Sequence, residues 1–460
     1  MSKNTFSQLS LKPQLLTRLQ ALGFDEMTPV QAASLPGSLD GKDIIAQAST
    51  GSGKTAAFGL ACLQRLEPKS FHVQSLVLCP TRELSEQVGQ SLRDLAKHVA
   101  NTKILTLCGG VPLGPQIGSL QHSAHLIVGT PGRVLKHLQK GTLHLHGLDI
   151  VVFDEADRML DMGFADEIDA ICSFLPQPRQ TLLFSATFPD GVKGLVDGLN
   201  ADALHVDVSR DEQAPRIIQQ WCAVAAQQRD QSLMSLLVHY GGARNLVFCN
   251  TKIECAEVSA QLCREGMVAV ALHGDLEQHQ RTQTLIRFAN GSANVLVASD
   301  VAARGLDIDA VDVVFNHSMP AQPEVYVHRI GRTGRGGAAG RAISLVADRE
   351  MNRLHSIERF SNQGPMSVLQ LPDRAPHGPP PMPSYQTLEI SGGRRHKLRP
   401  GDILGALTAH PDITGAVVGK IDLLDHCSYV AVHVAAAAAA LKQLNQHKVK
   451  GRMLRARRIA

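Results

Sequence analysis

The 460-residue chain has no apolar run near the ~18 residues that a membrane span requires. Its longest such run, Val434 to Leu441, is mostly alanine. The amino terminus Met1-Ser2-Lys3-Asn4-Thr5 leads into no signal-peptide core, so a soluble, cytoplasmic protein is expected; a monomer is expected as well. Nine cysteines are scattered without a CxxC pair, which argues against a disulfide framework and a zinc site and for buried thiols in a reducing compartment. With 39 Gly and 23 Pro, collagen-like and disordered compositions are also excluded. What remains is a globular chain, 44% hydrophobic, long enough for about three domains of roughly 150 residues.

The net charge of +4 conceals an asymmetry. From Tyr385 onward twelve Lys and Arg face five Asp and Glu, a net of +7, which leaves −3 for everything before. A basic module attached to a near-neutral body points to an acidic partner, most often nucleic acid.

Short β-branched runs at Ser75 to Cys79, Ile104 to Leu107, Leu126 to Val128, Ile150 to Phe153 and Thr181 to Phe184 read as buried strands. Helical periods lie between and before them, as at Leu11, Leu15, Leu16, Leu19 and Leu22, stopped by Gly23. This alternation implies a parallel sheet covered on both faces, and hence an α/β domain over residues 1–208. Runs at Leu246 to Cys249, Val268 to Leu272, Val295 to Ala298, Val313 to Phe315 and Ile343 to Val346 repeat the pattern over 217–370. The joint falls near Ser209 to Arg216, and residues 371–384 form a Pro-rich extended linker. In 385–460, strands at Leu388 to Ile390, Ala416 to Val418, Tyr429 to Val432 and Met453 to Leu454 alternate with helices near Ile403 to Leu407 and Ala435 to Leu444. That β-α-β-β-α-β order is the split-βαβ arrangement.

The strongest chemical signal is Ala48-Ser49-Thr50-Gly51-Ser52-Gly53-Lys54-Thr55, which follows the apolar Ile44-Ile45-Ala46. Small residues let consecutive N–H groups face phosphates, Lys54 adds charge to the β and γ phosphates, and the Thr55 hydroxyl suits Mg²⁺. Ala48 replaces the first glycine of the general pattern. Farther on, Val151-Val152-Phe153 runs into Asp154-Glu155-Ala156-Asp157. A carboxylate at the end of a buried strand faces the nucleotide crevice, so Asp154 suits the Mg²⁺ shell while Glu155 suits orienting and deprotonating a water. Both together fit hydrolysis of a nucleoside triphosphate.

These motifs, in this order, resemble those of the DEAD-box ATP-dependent RNA helicases. The resemblance implies two tandem RecA-like domains, ATP with Mg²⁺ as substrate and cofactor, and RNA as partner. Gly23-Phe24, Thr28-Pro29 and Gln31 match the family's Q motif, which implies that Gln31 reads adenine and an upstream aromatic, Phe6, stacks on the base. Pro80-Thr81-Arg82-Glu83-Leu84, Gly109-Gly110 and Thr130-Pro131-Gly132-Arg133 match its RNA-facing motifs. Ser185-Ala186-Thr187 matches the motif that couples hydrolysis to strand separation. In the second domain, Ser299-Asp300 through Asp307 resembles the motif touching RNA and nucleotide, with Asp307 implied at the ribose. His328-Arg329-Ile330-Gly331-Arg332-Thr333-Gly334-Arg335 resembles the arginine-finger motif, with Arg332 and Arg335 implied at the γ-phosphate. Closure of the two domains around RNA and ATP would then complete the site, each ligand strengthening the other.

The carboxyl-terminal segment resembles the RRM-like RNA-binding domain of a bacterial branch of this family that acts on 23S ribosomal RNA during large-subunit assembly. An ordinary RRM stacks bases on sheet aromatics. Here Glu389 and Cys427 stand at two of those positions, leaving Tyr429 as the candidate platform. Recognition by basic elements stays open beside it, namely Arg394, Arg395, Lys397 and Arg399, with Lys448, Lys450, Arg452, Arg455, Arg457 and Arg458. An ATP-gated RNA clamp that never separates strands is the alternative activity. A DNA-directed motor ranks lower, and a GTPase is disfavoured by Gln31.

Overall fold

The computed structural model describes residues 4–49, 51–122, 124–187, 202–208, 217–303, 311–334, 339–361, 364–372 and 380–459. The expected joint at 209–216 and most of the linker lie outside them. The chain divides into two compact units, the first holding the amino-terminal domain and the second the rest of the described residues.

In the first unit, helix α1 (Pro13–Ala21) buries Leu15 and Leu19, and Gly23 ends it in the left-handed region at φ +74°. Helix α2 (Pro29–Leu39) leads into β1 (Ile44–Gln47), followed by α3 (Lys54–Arg65), β2 (Ser75–Leu78), α4 (Arg82–Leu95), β3 (Ile104–Leu107) and β4 (Leu126–Gly129). Then come β5 (Ile150–Asp154), α5 (Ala156–Asp161), β6 (Gln180–Ser185) and β7 (Leu204–Asp207). The seven strands lie in the order β3-β4-β2-β5-β6-β1-β7, with every pairing parallel. Alternate residues feed two cores: Val77, Val152 and Leu182 enter one, with Phe58 against Phe184, and Leu76, Val151 and Leu183 enter the other. Burial on both faces is why these strands read as unbroken apolar runs. All their carboxyl ends reach one edge of the sheet.

The second unit repeats this plan with β8 (Ile217–Ala223), α6 (Arg229–Tyr240), β9 (Asn245–Cys249), α7 (Lys252–Arg264), β10 (Ala269–Leu272) and α8 (Gln278–Ala289). It continues through β11 (Val295–Ser299), β12 (Val313–Asn316), α9 (Pro323–Ile330), β13 (Gly340–Val346) and β14 (Ser367–Val368). Their order is β10-β11-β9-β12-β13-β8-β14, again parallel. Two RecA-like parallel-sheet domains are therefore present, as expected.

The carboxyl-terminal module is an antiparallel sheet of β15 (Tyr385–Ile390), β16 (Val418–Leu423), β17 (Ser428–His433) and β18 (Ala456–Arg458), in the order β16-β17-β15-β18, carrying α10 (Pro400–Thr408) and α11 (Ala437–Gln446). Both edge strands sit later in the chain than expected. A 3₁₀ turn takes Gly415–Val417, and Met453 and Leu454 precede the last strand. On one face Leu388, Ile390, Val430 and Val432 pack with Ile403, Leu407, Ala440 and Leu444 of the helices.

The opposite face does not open to solvent. It rests on α8 of the second RecA-like domain, where Asn290 Nδ2 donates to Thr387 Oγ1 at 2.8 Å and Gln283 Nε2 reaches Glu389 Oε2 and the Tyr429 hydroxyl, each at 3.4 Å. Asn294 Nδ2 donates to Pro381 O at 2.6 Å, which pins the end of the linker. Thr387, Tyr429 and Ala431 are buried. Tyr429 is thus not an exposed stacking platform: its ring is a domain–domain contact.

Candidate nucleotide site and RNA-facing edge

The phosphate-loop candidate joins β1 to α3. Its chain is steered by Gly51 and Gly53, in the left-handed region at φ +86° and +95°. Lys54 is buried, and its ammonium donates to Ala48 O at 3.0 Å, so the charge is folded into the loop it would serve. Ser52 Oγ donates to Ser49 O at 2.8 Å, and Thr55 is half-buried in the first turn of α3. Thr50 lies outside the described residues.

Gln31 is the third residue of α2. Its side-chain oxygen accepts from Thr28 N at 2.9 Å, while its Nε2 donates to Gly53 O at 3.0 Å. One amide thereby ties the helix start to the glycine loop. Phe6 is buried in the adjacent core, whereas Phe24 is 41% exposed.

β5 delivers Asp154 next to Glu155, which takes a left-handed conformation at φ +53° before α5 begins. Asp154 is 3% exposed, and its Oδ1 is buried without a hydrogen-bond partner. Burial above all, and the neighbouring Glu155, push its pKa up to about 7 against the opposing charges of Lys54 and Arg158. A buried carboxylate oxygen with no protein partner suits a cation, and a hard divalent ion suits carboxylate and hydroxyl oxygens, so the residues fit Mg²⁺. Glu155 pairs with Arg158, Oε2 to Nη1 at 2.8 Å, with both side chains buried.

The end of β6 locks onto the same turn. Asp157 Oδ2 accepts from Thr187 N at 3.0 Å and from Thr187 Oγ1 at 2.8 Å, while Ser185 Oγ accepts from Asp157 N at 3.2 Å and donates to Thr187 O at 2.6 Å. Ala48 N donates to Ser185 O at 3.0 Å. The phosphate loop, the acidic turn and the Ser185-Ala186-Thr187 segment form one bonded unit. Sequence reasoning assigned no role to Asp157 or Arg158, though Asp157 was legible as the fourth letter of the acidic motif.

Beyond β2, β3 and β4 lies a basic edge. The Arg82 guanidinium covers Gly109 and Gly110, and a Cβ on Gly110, which sits at φ +77°, would collide with it. Arg133 donates to Gln116 Oε1 at 2.7 Å and to Val111 O at 2.9 Å, while Thr130 precedes its helix.

In the second unit Ser299 ends β11, and the neighbouring Asp300 holds Arg329 through Nε at 2.6 Å and Nη2 at 2.7 Å. Arg329 also reaches Asn250, Asn316 and Ser318 O, and lies 5.2 Å over the Phe248 ring. It gathers the carboxyl ends of β9, β11 and β12, a role unassigned from sequence. Arg332 is buried at the end of α9; Asp307 and Arg335 lie outside the described residues.

In the module, Arg394, Arg395, Lys397 and Arg399 are exposed on the loop after β15. Arg394 N donates to Leu424 O, Arg395 N to Asp425 O, and Lys450 Nζ bonds Asp402 at 3.0 Å. Three loops therefore meet at one basic end of the module. No helix of the described residues is long and apolar enough to cross a membrane.

Two RecA-like sheets, one ending in a phosphate loop and paired acids beside a basic edge, define a nucleoside triphosphatase that works on nucleic acid. More specifically, the chain belongs to the DEAD-box family of ATP-dependent RNA helicases, enzymes that hydrolyse ATP. The DEAD/DEAH box helicase model matches residues 28–195, the helicase conserved C-terminal domain 228–337, and the DbpA RNA binding domain 387–458. The chain is 50% identical to the ATP-dependent RNA helicase DbpA of Escherichia coli strain K12, over 98% of this chain and 99% of that protein. It is 42% identical to the DEAD-box ATP-dependent RNA helicase CshA of Bacillus subtilis strain 168, over 78% of this chain and 73% of that one. Among solved structures it is similar to S. cerevisiae Dbp5 bound to RNA and ADP BeF3, with TM-score 0.73, 32% identity, and coverage of 80% of this chain and 96% of that one.

Proposed function

We propose that the protein is an RNA-stimulated, Mg²⁺-dependent ATPase that locally unwinds structured RNA, is directed by its carboxyl-terminal module to 23S ribosomal RNA, and acts as a cytoplasmic monomer in large-subunit assembly. The observation that carries the chemistry is the buried, unpartnered Asp154 oxygen beside Lys54. Asp154 and Thr55 would hold Mg²⁺, which neutralises phosphate charge when bound. Lys54 and the loop 49–55 hold the phosphates, Gln31 reads the base with Phe6 and Phe24 beside it, and Asp307 holds the ribose. Glu155 orients the attacking water and accepts its proton, while Arg332 and Arg335 offset charge developing on the γ-phosphate. Arg82, Gly110, Thr130, Arg133 and Ser299 contact the RNA backbone, and Ser185 and Thr187 relay the state of the acidic turn.

For target choice, the buried sheet face of the module leaves the basic end as the surface that supports recognition. Similarity to the E. coli relative supports the ribosomal assignment. The test is ATP hydrolysis by the full chain with 23S ribosomal RNA, an unrelated RNA of equal length, or none. Charge reversal of Arg394, Arg395 and Lys397 together is expected to remove the preference for 23S RNA and leave the RNA-independent rate unchanged. A preference that survives the reversal would place specificity elsewhere, and an equal response to both RNAs in the unaltered chain would refute the targeting.

A further inference from the structure

Behind the Arg329 cage, the imidazole of His317 is buried between two carboxylates. Nδ1 lies 2.7 Å from Glu254 Oε1 on α7, and Nε2 lies 2.8 Å from Asp230 Oδ1 on α6. Glu254 also accepts from the Ser318 hydroxyl and from Asn250 N at 3.0 Å. The backbone on either side is held as well: Arg229 donates to His317 O at 2.9 Å, and Ser318 O accepts from Arg329 at 2.7 Å. Glu350, paired with Arg229, accepts from Met319 N. One short segment thus receives α6, α7 and α9 together.

A carboxylate facing each ring nitrogen requires a proton within each contact, because two acceptors cannot satisfy one another, and with both carboxyl groups held below their ordinary range those protons sit on the ring. The ring is therefore an imidazolium. Cys249 on β9 completes a trio with Glu254 and His317 whose ligand atoms lie within 4.8 Å of one another. It does not make a metal centre: neither ring nitrogen keeps a lone pair, Arg229 and Arg329 add positive charge nearby, and the bond with Cys255 together with burial pushes the Cys249 thiol well up. Among the described residues, the charged and titratable groups around this segment are Asp230 and Arg229 from α6, Glu254 and Cys255 from α7, Cys249 from β9, Glu350 from the turn after β13, Arg329 from α9, and Arg353, which donates to Met319 O at 2.9 Å.

We propose that His317 is a proton-operated brace, which as an imidazolium ties α6 to α7 behind the cage of Arg329 and lets the second RecA-like domain loosen when that proton leaves.

The direction in pH follows from the pairings. Burial opposes charge on His317, but the hydrogen bonds to Asp230 and Glu254 outweigh it and raise the pKa above its ordinary value. The stabilisation is therefore complete below the ordinary histidine range and is lost as pH rises through the elevated value. Glu254 is held down to about 2, burial notwithstanding, by His317 and Ser318, and Asp230 is lowered chiefly by its bond to His317. Their contribution is lost on the acid side, as pH falls through those lowered values. The brace thus fails on the alkaline side.

Hydrogen exchange of α6 and α7 in the full chain, corrected for the intrinsic pH dependence of exchange, tests this between pH 6 and 9. Protection is expected to fall several-fold with rising pH in the unaltered protein and to stay flat in His317→Gln. Asp230→Asn, which leaves Glu254 in place, is expected to move the fall to lower pH and keeps the test valid should the histidine variant not fold. A flat profile in the unaltered protein, or an unmoved fall in Asp230→Asn, overturns the proposal. So does zinc-dependent protection that Cys249→Ala abolishes, which would make the cluster a metal site.

Discussion

Gly53 shows how a single hydrogen atom in place of a side chain can decide nucleotide binding. At φ +95° any other residue pays roughly 1–2 kcal/mol for the left-handed backbone. A Cβ there would also stand 2.5 Å from Gln31 Nε2 and 2.9 Å from Thr28 Oγ1. Gly53→Ala is therefore expected to weaken ATP binding about tenfold, on the scale of 1.4 kcal/mol per decade, while the melting point moves by only a few degrees. Equilibrium titration with ATP beside thermal unfolding checks this, and unchanged affinity would mean that the loop opens before nucleotide enters. Glu155 offers a complementary separation of roles. Its carboxylate serves the proposed water and also neutralises buried Arg158. Both Glu155→Gln and Glu155→Ala are expected to slow hydrolysis at least ~100-fold, the usual worth of a general base. Both remove the charge partner of Arg158, but only the alanine also removes its hydrogen-bond acceptor, so the alanine is expected to be the less stable of the two by about 1–3 kcal/mol. Equal melting points for the two variants would contradict that account.

Among elements, the junction of β5 and β6 is where the proposed coupling of hydrolysis to strand separation would act. Asp154 lies opposite Phe184, and one turn later Asp157 takes both donors of Thr187. Asp157→Ala removes Oδ2, the single oxygen on which both donors of Thr187 converge and which an asparagine could still supply. The expected result is a protein that hydrolyses ATP with RNA but separates fewer duplexes per ATP, measured as the ratio of the two rates. Loss of both in proportion would make the contact purely structural. The strands bearing these residues were legible because parallel strands buried on both faces appear as short β-branched runs with glycine or polar breaks. The edge strands β16 and β18 were misplaced for the converse reason. Gly419 and Lys420 in one, and Arg457 and Arg458 in the other, leave no apolar run to read. Arg329 escaped because its partners come from the ends of separate strands and not from its own spacing, and the brace at His317 likewise draws on separate elements; Arg158 stands three residues after Glu155, a spacing the sequence did offer.

For the whole molecule, the docked face of the module changes what its linker does. A tethered domain raises the local concentration of its RNA; a domain whose sheet is buried against α8 also fixes the orientation in which that RNA is presented to the second RecA-like domain. No sequence pattern distinguished these cases, since a tyrosine on a central strand reads alike whether it meets a base or a neighbouring helix. Thr387 separates them experimentally. It points away from the module's own core toward Asn290, so an arginine there breaks the contact and leaves Leu388, Ile390, Val430 and Val432 packed as before. Thr387→Arg is expected to speed hydrogen exchange in Gln278–Ala289, to leave exchange in α10 and α11 unchanged, and to reduce stimulation of the ATPase by 23S RNA without altering the RNA-independent rate. Were the Tyr429 face instead an RNA platform covered only in the absence of ligand, undocking would expose it, and the variant would bind and respond to that RNA more strongly than the unaltered chain.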